Sequence, residues 1–161
     1  MKNFKKLVAG IVTLVVGISV LAGCSNPVAD ELENFVNVQT VEVNAIYEEI
    51  TAEAGTWESL ESEEDVLKSV KDVLIPKTEE GLKLLNAVEV TTPEVQEIKA
   101  KYVKVFEAYK EGFGMMLTAL ENLDEAMMTE SAAKLEEGIT ALNEYNAALK
   151  ALAEENGLTI E

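Results

Sequence analysis

The stretch TTPEVQEIKAKYVKVFEAYKEGFGMMLTAL, residues 91–120, carries the clearest helix signal of this chain. Its first four residues combine threonine caps, a proline and an acid, which is a usual start of an α-helix. Beyond them, apolar side chains recur every three or four residues and so occupy one face of a helix. They are Val95, Ile98, Tyr102, Val105, Phe106, Tyr109, Phe113, Met116, Leu117 and Leu120. The stretch therefore predicts a helix that buries one apolar face.

Two glycines, Gly112 and Gly114, fall inside this predicted helix. Each lowers helix propensity by roughly 1 kcal/mol relative to alanine. We expect them either to permit close packing against a neighbouring helix or to mark a bend.

Two further helices are predicted near the two ends of the chain. Asn26-Pro27 supplies a cap and a first-turn proline, and the apolar spacing continues from there to Gly55. Gln39 is the one position at which that apolar stripe turns polar. A turn near residues 124–129 leads to a last helix, for which Asn156-Gly157 supplies a left-handed stop.

A fourth helix lies between these, and it contains a proline. Ser62 and Asp65 resemble a capping box at its start. Pro76 removes an amide donor and clashes with the preceding turn, so we expect a kink there rather than two separate elements. Four amphipathic helices with short links predict an all-α fold, a single antiparallel up-down-up-down four-helix bundle.

The first two dozen residues differ in kind from these helices. Three lysines precede an apolar run at 7–21, small residues follow, and Cys24 is the only cysteine of the chain. That order is typical of a secretory signal, which we expect to be helical and to be cleaved. The alternative is an uncleaved membrane anchor, but the 17 residues from 7 to 23 reach only the lower limit for a spanning helix.

Leu21-Ala22-Gly23-Cys24 resembles the lipobox of bacterial lipoproteins. In that class a diacylglycerol is attached to the cysteine thiol and the peptide bond before it, here Gly23–Cys24, is cleaved. The resemblance implies a signal peptide at 1–23, a lipidated cysteine with a very short tether at 24–26, and an acidic helical bundle at 27–161. It also implies a lipid-anchored position on the extracytoplasmic face of the cell membrane. The mature layout resembles small all-helical lipoproteins of Gram-positive bacteria, many of which have no assigned activity.

The charge of the chain limits its partners. All thirteen basic residues are lysines, three of them within the predicted signal, and all thirty acids follow it. The mature chain would therefore have ten lysines against thirty acids, a formal charge of −20 compared with −17 for the whole chain. Such a charge repels nucleic acid and anionic bilayers, so the lipid itself must hold the protein at the membrane.

The residue types present argue against catalysis. Histidine and arginine do not occur, and the single thiol would be consumed by the lipid. Adjacent glutamates such as Glu48-Glu49 point about 100° apart on a helix and do not converge on one substrate. We therefore predict a protein that is not an enzyme, has no catalytic residues, and requires no cofactor beyond the diacylglycerol implied on Cys24.

Two groups of residues raise the question of a metal. The acids at 61–65 are better explained as the solvated start of a helix, where negative charge is favourable. Met115-Met116 and Met127-Met128 offer thioethers, which are ligands for copper(I), but their helical setting fits core packing better. We predict no metal site.

Trp57 is the sole tryptophan and lies in a predicted link between helices. We consider it a candidate contact for a partner protein or glycan; the alternative is that it closes the open end of the bundle core. We predict a non-enzymatic surface lipoprotein that binds or scaffolds another component of the cell envelope. The alternative function is a low-affinity carrier or buffer of small ligands or cations at the membrane surface.

Overall fold

The computed structural model describes residues 14, 17–20, 26–60 and 62–160, and the fold they form is all-α apart from one two-stranded sheet. Most of the predicted signal, the lipobox at 21–24, the cleavage site Gly23–Cys24 and the lipidation site Cys24 lie outside the described residues. Within the part of the chain that is described, no helix is both long and apolar enough to cross a bilayer.

The first predicted helix is a helical segment that contains one π turn. It consists of α1 (Pro27–Asn34), a π turn (Phe35–Gln39) and α2 (Val41–Gly55), and a short 3-10 turn (Thr56–Glu58) follows. Asn26 caps α1 as predicted, because its side chain accepts a hydrogen bond from the Ala29 amide at 2.8 Å. The fully buried Thr40 donates its hydroxyl to the Phe35 carbonyl at 2.9 Å and so stabilises the widened turn.

The second helical segment also contains a π turn. It consists of α3 (Glu63–Ser69), a π turn (Val70–Leu74) and α4 (Ile75–Ala87). The predicted cap is confirmed, since the Ser62 hydroxyl accepts from the Asp65 amide at 3.1 Å. Pro76 lies in the first turn of α4, directly after the π turn. The change in helical hydrogen bonding thus comes just before the residue that lacks an amide donor.

The last two helices are long and closely joined. They are α5 (Pro93–Asn122) and α6 (Glu125–Glu155). Only Leu123 and Asp124 lie between them, so the predicted turn at 124–129 is too long. α6 begins directly after Asp124, earlier than predicted. The Asp124 carboxylate caps the helix by accepting hydrogen bonds from two amides in its first turn, each at 3.0 Å.

α5 and α6 run antiparallel along their whole length. The Ser131 hydroxyl donates to the Gly112 carbonyl at 2.9 Å. Towards the other end of the pair, the rings of Tyr102 and Tyr145 stack with their centroids 4.5 Å apart. All four tyrosines of the chain are at most 5% exposed, so they belong to the core that these helices enclose.

The two earlier helical segments pack against this pair and against each other. Lys77 forms an ion pair with Glu49 at 2.8 Å, which joins α4 to α2. The ring of Phe106 in α5 lies over Gly81 in α4, where an added Cβ would approach it to 2.3 Å. On the buried side, the Tyr102 hydroxyl donates to the Asn44 Oδ1 atom at 2.9 Å.

The sheet was not predicted. β1 (Ile18–Val20) pairs antiparallel with β2 (Leu158–Ile160), with Ile18 opposite Ile160. Residues 18–20 belong to the segment for which a signal helix was expected, and this expectation is wrong for these three residues. Gly157, at φ 71°, lets the chain turn into β2 directly after α6, as the predicted left-handed stop requires.

Candidate functional site

An apolar cavity of about 190 Å³ opens where the α2–α3 and α5–α6 connections lie side by side. Its walls come from both connections and from the helices next to them. Apolar lining residues include Trp57, Val66, Met116, Leu120 and Met128. Because they come from four different helical elements, the cavity exists only in the folded chain.

Trp57 forms part of the buried wall of this cavity. Its indole N–H donates to the Ser69 hydroxyl at 2.7 Å, and its ring packs against that of Phe113 in a T-shaped arrangement with the centroids 6.5 Å apart. The residue is only 1% exposed. It therefore closes the end of the core, as the alternative interpretation expected. Its burial is at odds with a direct surface contact, because a partner would reach the indole only through the cavity.

Three exposed residues of the lining are acidic. Glu63, Asp124 and Glu125 all line the cavity, and all three are exposed. They lie at or next to the N-termini of α3 and α6, where negative charge interacts favourably with the helix dipole. They therefore stabilise the two helix starts and also give the cavity mouth a negative potential.

Leu123 adds an exposed apolar side chain to the cavity mouth. It is 78% exposed and lines the cavity, and its backbone is left-handed, with φ 54° and ψ 39°. This conformation costs a non-glycine residue on the order of 1 kcal/mol. A strained, exposed leucine beside an apolar cavity is a combination that occurs at binding sites.

One methionine from each of the two pairs, Met116 and Met128, lines the same cavity. Met116 is fully buried in α5, and Met128 lies in α6 across the turn. This agrees with the core-packing interpretation of Met116, while both residues contribute to the cavity lining. Among the described residues, no three acidic, cysteine or histidine side chains are grouped closely enough to hold a metal ion.

The four buried tyrosines are neutral members of the core. Burial raises the pKa of Tyr102, Tyr109 and Tyr145 above the usual value for a phenol. Burial is also the largest cause that raises the pKa of Tyr47, followed by its contact with Tyr109. These phenols stay protonated at neutral pH and serve as core aromatics.

The cavity lies near the C-terminus of α5. The start of the first helix and the end of the last helix lie near the N-terminus of α5. Asn26, which precedes α1, donates its side-chain amide to Asn156, which follows α6, at 3.1 Å. At the same end, Glu31 accepts hydrogen bonds from Thr91 and Thr92, directly before α5. At 1.5 Å per residue, α5 separates that end from the cavity by about 40 Å.

Sequence reasoning identified two of the parts from which this site is built. It singled out Trp57 and the methionine pairs, and the structure brings Trp57, Met116 and Met128 together in one cavity. It missed Leu123, whose left-handed backbone is set by a two-residue turn that was predicted to be longer. Comparisons of the chain with protein-family models, curated proteins and solved structures give no match.

Proposed function

We propose that this chain is an extracytoplasmic lipoprotein whose mature part binds another envelope component through the cavity. In this proposal Cys24 carries a diacylglycerol and residues 1–23 are removed. The mature part is an antiparallel up-down-up-down four-helix bundle, made of the segments 27–55, 63–87, 93–122 and 125–155. Pairs of contacts in which one residue number rises while the other falls support this arrangement. They are Glu49–Lys77 with Trp57–Ser69, Glu79–Lys110 with Gly81–Phe106, and Tyr102–Tyr145 with Gly112–Ser131.

The main support for the proposal is the position of the cavity relative to Asn26 and Asn156, which flank the first and last helices. Only Ser25 lies between Cys24 and Asn26, and Asn26 is bonded to Asn156 at the end remote from the cavity. A lipid on Cys24 would therefore keep that end at the bilayer. The cavity would then face away from the membrane at a height of about 40 Å.

The size and charge of the site favour one kind of occupant. Small-molecule sites usually enclose about 300–1,000 Å³, so a cavity of about 190 Å³ suits an apolar side chain better than a whole ligand. The acids Glu63, Asp124 and Glu125 surround it, and the mature domain would carry a charge of −20. We infer that the partner presents an apolar side chain within a basic segment, which the charge of the domain would attract.

The chemistry available in the site supports the proposal of a non-enzymatic role. Histidine does not occur in the chain. The side chains that line the cavity are apolar or carboxylate, and Asp124 is already committed to capping α6. Serine, threonine, cysteine and lysine nucleophiles are not among the lining residues.

Photo-crosslinking in intact cells of the native host tests this proposal. A photoreactive amino acid at position 123 probes the cavity mouth, and the same group at the exposed position 144 on α6 is the control. We expect an adduct from position 123 whose crosslinked peptide is basic and contains an apolar residue. The Glu63→Gln/Glu125→Gln double variant should weaken this adduct, whereas Glu107→Gln/Glu144→Gln should leave it unchanged. Equal adducts from both positions, or none from position 123, would contradict the proposal.

A second candidate function, the carrier of small ligands or cations, is favoured by one observation. The thioethers of Met116 and Met128 line the same cavity as three carboxylates. Under this alternative, millimolar calcium or copper(I) should raise the melting temperature of the protein through linkage, and Met128→Leu should abolish the copper effect. No shift with either ion would exclude the cation carrier and leave the partner-binding proposal in place.

A further inference from the structure

The short sheet holds an extended segment that the proposed function would remove. Ile18, Ser19 and Val20 of β1 pair in antiparallel register with Ile160, Thr159 and Leu158 of β2. β1 also contacts α1, and β2 contacts the end of α6. A three-residue extended segment is therefore held between the last strand and the first helix of the described chain.

A side-chain amide forms hydrogen bonds directly to the backbone of this segment. Asn37 accepts a hydrogen bond from the Ile18 amide at 3.1 Å and donates one to the Ile18 carbonyl at 2.6 Å. One asparagine thus satisfies both polar groups of a single residue, as a neighbouring strand would. Recognition of this kind depends on an extended backbone rather than on a particular side chain.

The π turn of the first helical segment positions that asparagine. Asn37 lies in the middle of the turn, Phe35–Gln39, which the buried Thr40 stabilises through its bond to the Phe35 carbonyl. π turns are rare and occur frequently at functional sites. Here the turn is where an exposed helix residue reaches the backbone of β1.

Apolar contacts complete the site. Ile18 is 4% exposed, Leu14 is 5% exposed, and both belong to the same buried cluster as Leu158 of β2. Ser19, between Ile18 and Val20, is only partly buried. The site therefore takes an extended segment with a buried apolar side chain at the position of Ile18.

We propose that the mature protein binds an extended apolar peptide in the place of β1, by strand addition to β2 and capture of its backbone by Asn37. This inference rests on the proposed function, because removal of residues 1–23 would take Leu14 and β1 away. The removal would leave Asn37 and the edge of β2 without their partners in β1. Strand addition is an established mode of peptide recognition, in which backbone bonds supply affinity and side-chain pockets supply specificity.

The charge of the domain favours a peptide, rather than a second copy of the chain, as the occupant of the site. Two mature domains would each carry −20 and repel each other, whereas a neutral or basic peptide would not be repelled. β2 is also only three residues long, so an edge-to-edge pairing of two copies would add few backbone bonds. The occupant we infer is therefore an extended peptide without net negative charge.

The test uses mature protein purified in detergent from membranes of the native host. The probe is a fluorescent peptide with the sequence of residues 14–21, LVVGISVL, extended by two lysines for solubility. The control peptide differs from it only by Ile18→Pro, which removes the backbone amide that donates to Asn37. Fluorescence anisotropy should show saturable binding of the first peptide and binding at least about tenfold weaker for the second.

Protein variants distinguish binding of the peptide at the site from its uptake into detergent micelles. Asn37→Ala should weaken binding by about tenfold, while Asn143→Ala, an exposed asparagine on α6, should change it by less than about twofold. Equal affinity of both peptides, equal affinity of Asn37→Ala and the unchanged protein, or no binding would overturn the inference. A dimer in light scattering that is lost in Thr159→Pro would also overturn it, because a second copy would then occupy the edge.

The N-terminus of the same preparation distinguishes the two proposals. If the chain starts at Cys24 and the peptide does not bind, only this inference fails. If Met1 is intact, the proposed function fails as well, and β1 is the permanent occupant of the site.

Discussion

The side-chain amide of Asn26 donates to the Oδ1 atom of Asn156 at 3.1 Å, joining two residues that are 130 positions apart. Asn26 also caps α1, and Asn156 also donates to the Leu152 carbonyl at the end of α6. This one contact brings the start of the first helix and the end of the last helix to the same end of the molecule. The apolar cavity lies at the other end, about 40 Å away along α5.

The first prediction concerns this contact. Asn26→Ala removes both the cap of α1 and the bond to Asn156, and should lower the free energy of unfolding by about 1–2 kcal/mol. Asn26→Asp keeps an acceptor for the Ala29 amide but loses the donor to Asn156. Urea titration should therefore rank the unchanged protein first, the aspartate variant second and the alanine variant last. Identical midpoints for all three would contradict the assigned contact.

The second prediction separates the two glycines of α5. An added Cβ at Gly112 would lie 2.7 Å from Leu135 Cδ2 and 3.2 Å from the Leu135 backbone nitrogen, whereas one at Gly114 meets nothing within 4 Å. Gly112→Ala should destabilise the protein by about 1–3 kcal/mol through overpacking. Gly114→Ala should stabilise it by up to about 1 kcal/mol, since alanine favours the helix.

Chemical denaturation of these two variants is the measurement. Because the two variants should change the free energy of unfolding in opposite directions, each is the control for the other. A stabilising Gly112→Ala would show that α5 and α6 do not approach each other at this point.

The third prediction concerns acid stability. The Glu31 carboxylate accepts four hydrogen bonds, from the backbone amides and the hydroxyls of Thr91 and Thr92, at 2.5–2.7 Å. Burial raises the pKa of Glu31, but the bonds from Thr92 and Thr91 outweigh it and lower the pKa to about 2 from 4.5. A depressed pKa gives a stabilisation that is complete above about pH 4.5 and is lost as the pH falls through about 2.

Glu31→Gln should therefore cost about 1 kcal/mol at pH 7, because the carboxylate is partly solvated. The difference from the unchanged protein should shrink between pH 4.5 and 2. Thermal melts across this range measure it, with the exposed Glu107→Gln as the control. A difference that is the same at pH 7 and pH 2 would show that the charge of Glu31 has no role.

The fourth prediction uses the only tryptophan. Ser69→Ala removes the acceptor that lies 2.7 Å from the Trp57 indole nitrogen in the buried wall of the cavity. We expect a loss of about 1 kcal/mol of stability and a shift of the tryptophan emission maximum. Ser59→Ala, at an exposed hydroxyl in the neighbouring turn, should produce neither effect. An unchanged emission spectrum in Ser69→Ala would contradict the geometry of the wall.

Local signals in the sequence predicted much of the secondary structure. Caps are short-range patterns, and those at Asn26 and Ser62 are where they were expected. The two π turns were not predicted, because an added residue in one turn barely changes the spacing of apolar side chains. The polar Gln39 and the proline at Pro76 were the only signs of them in the sequence.

The sheet and the cavity depend on contacts that sequence patterns do not contain. An apolar run such as that around Ile18 fits a strand as well as a helix, and its pairing with β2 is set by the far end of the chain. Trp57 was recognised as unusual for a link, but Phe113 and Ser69, which bury it, come from two other elements. The candidate site was therefore identified in part, without its shape.

The most direct test of the central claim is the intact mass of the protein isolated from the membranes of its native host. We expect a chain that begins at Cys24 and carries the added mass of a diacylglycerol, and a Cys24→Ala variant that stays an unprocessed precursor without lipid. A chain that begins with Met1 and has an unmodified thiol would contradict the lipid anchor, and with it the orientation of the cavity away from the membrane.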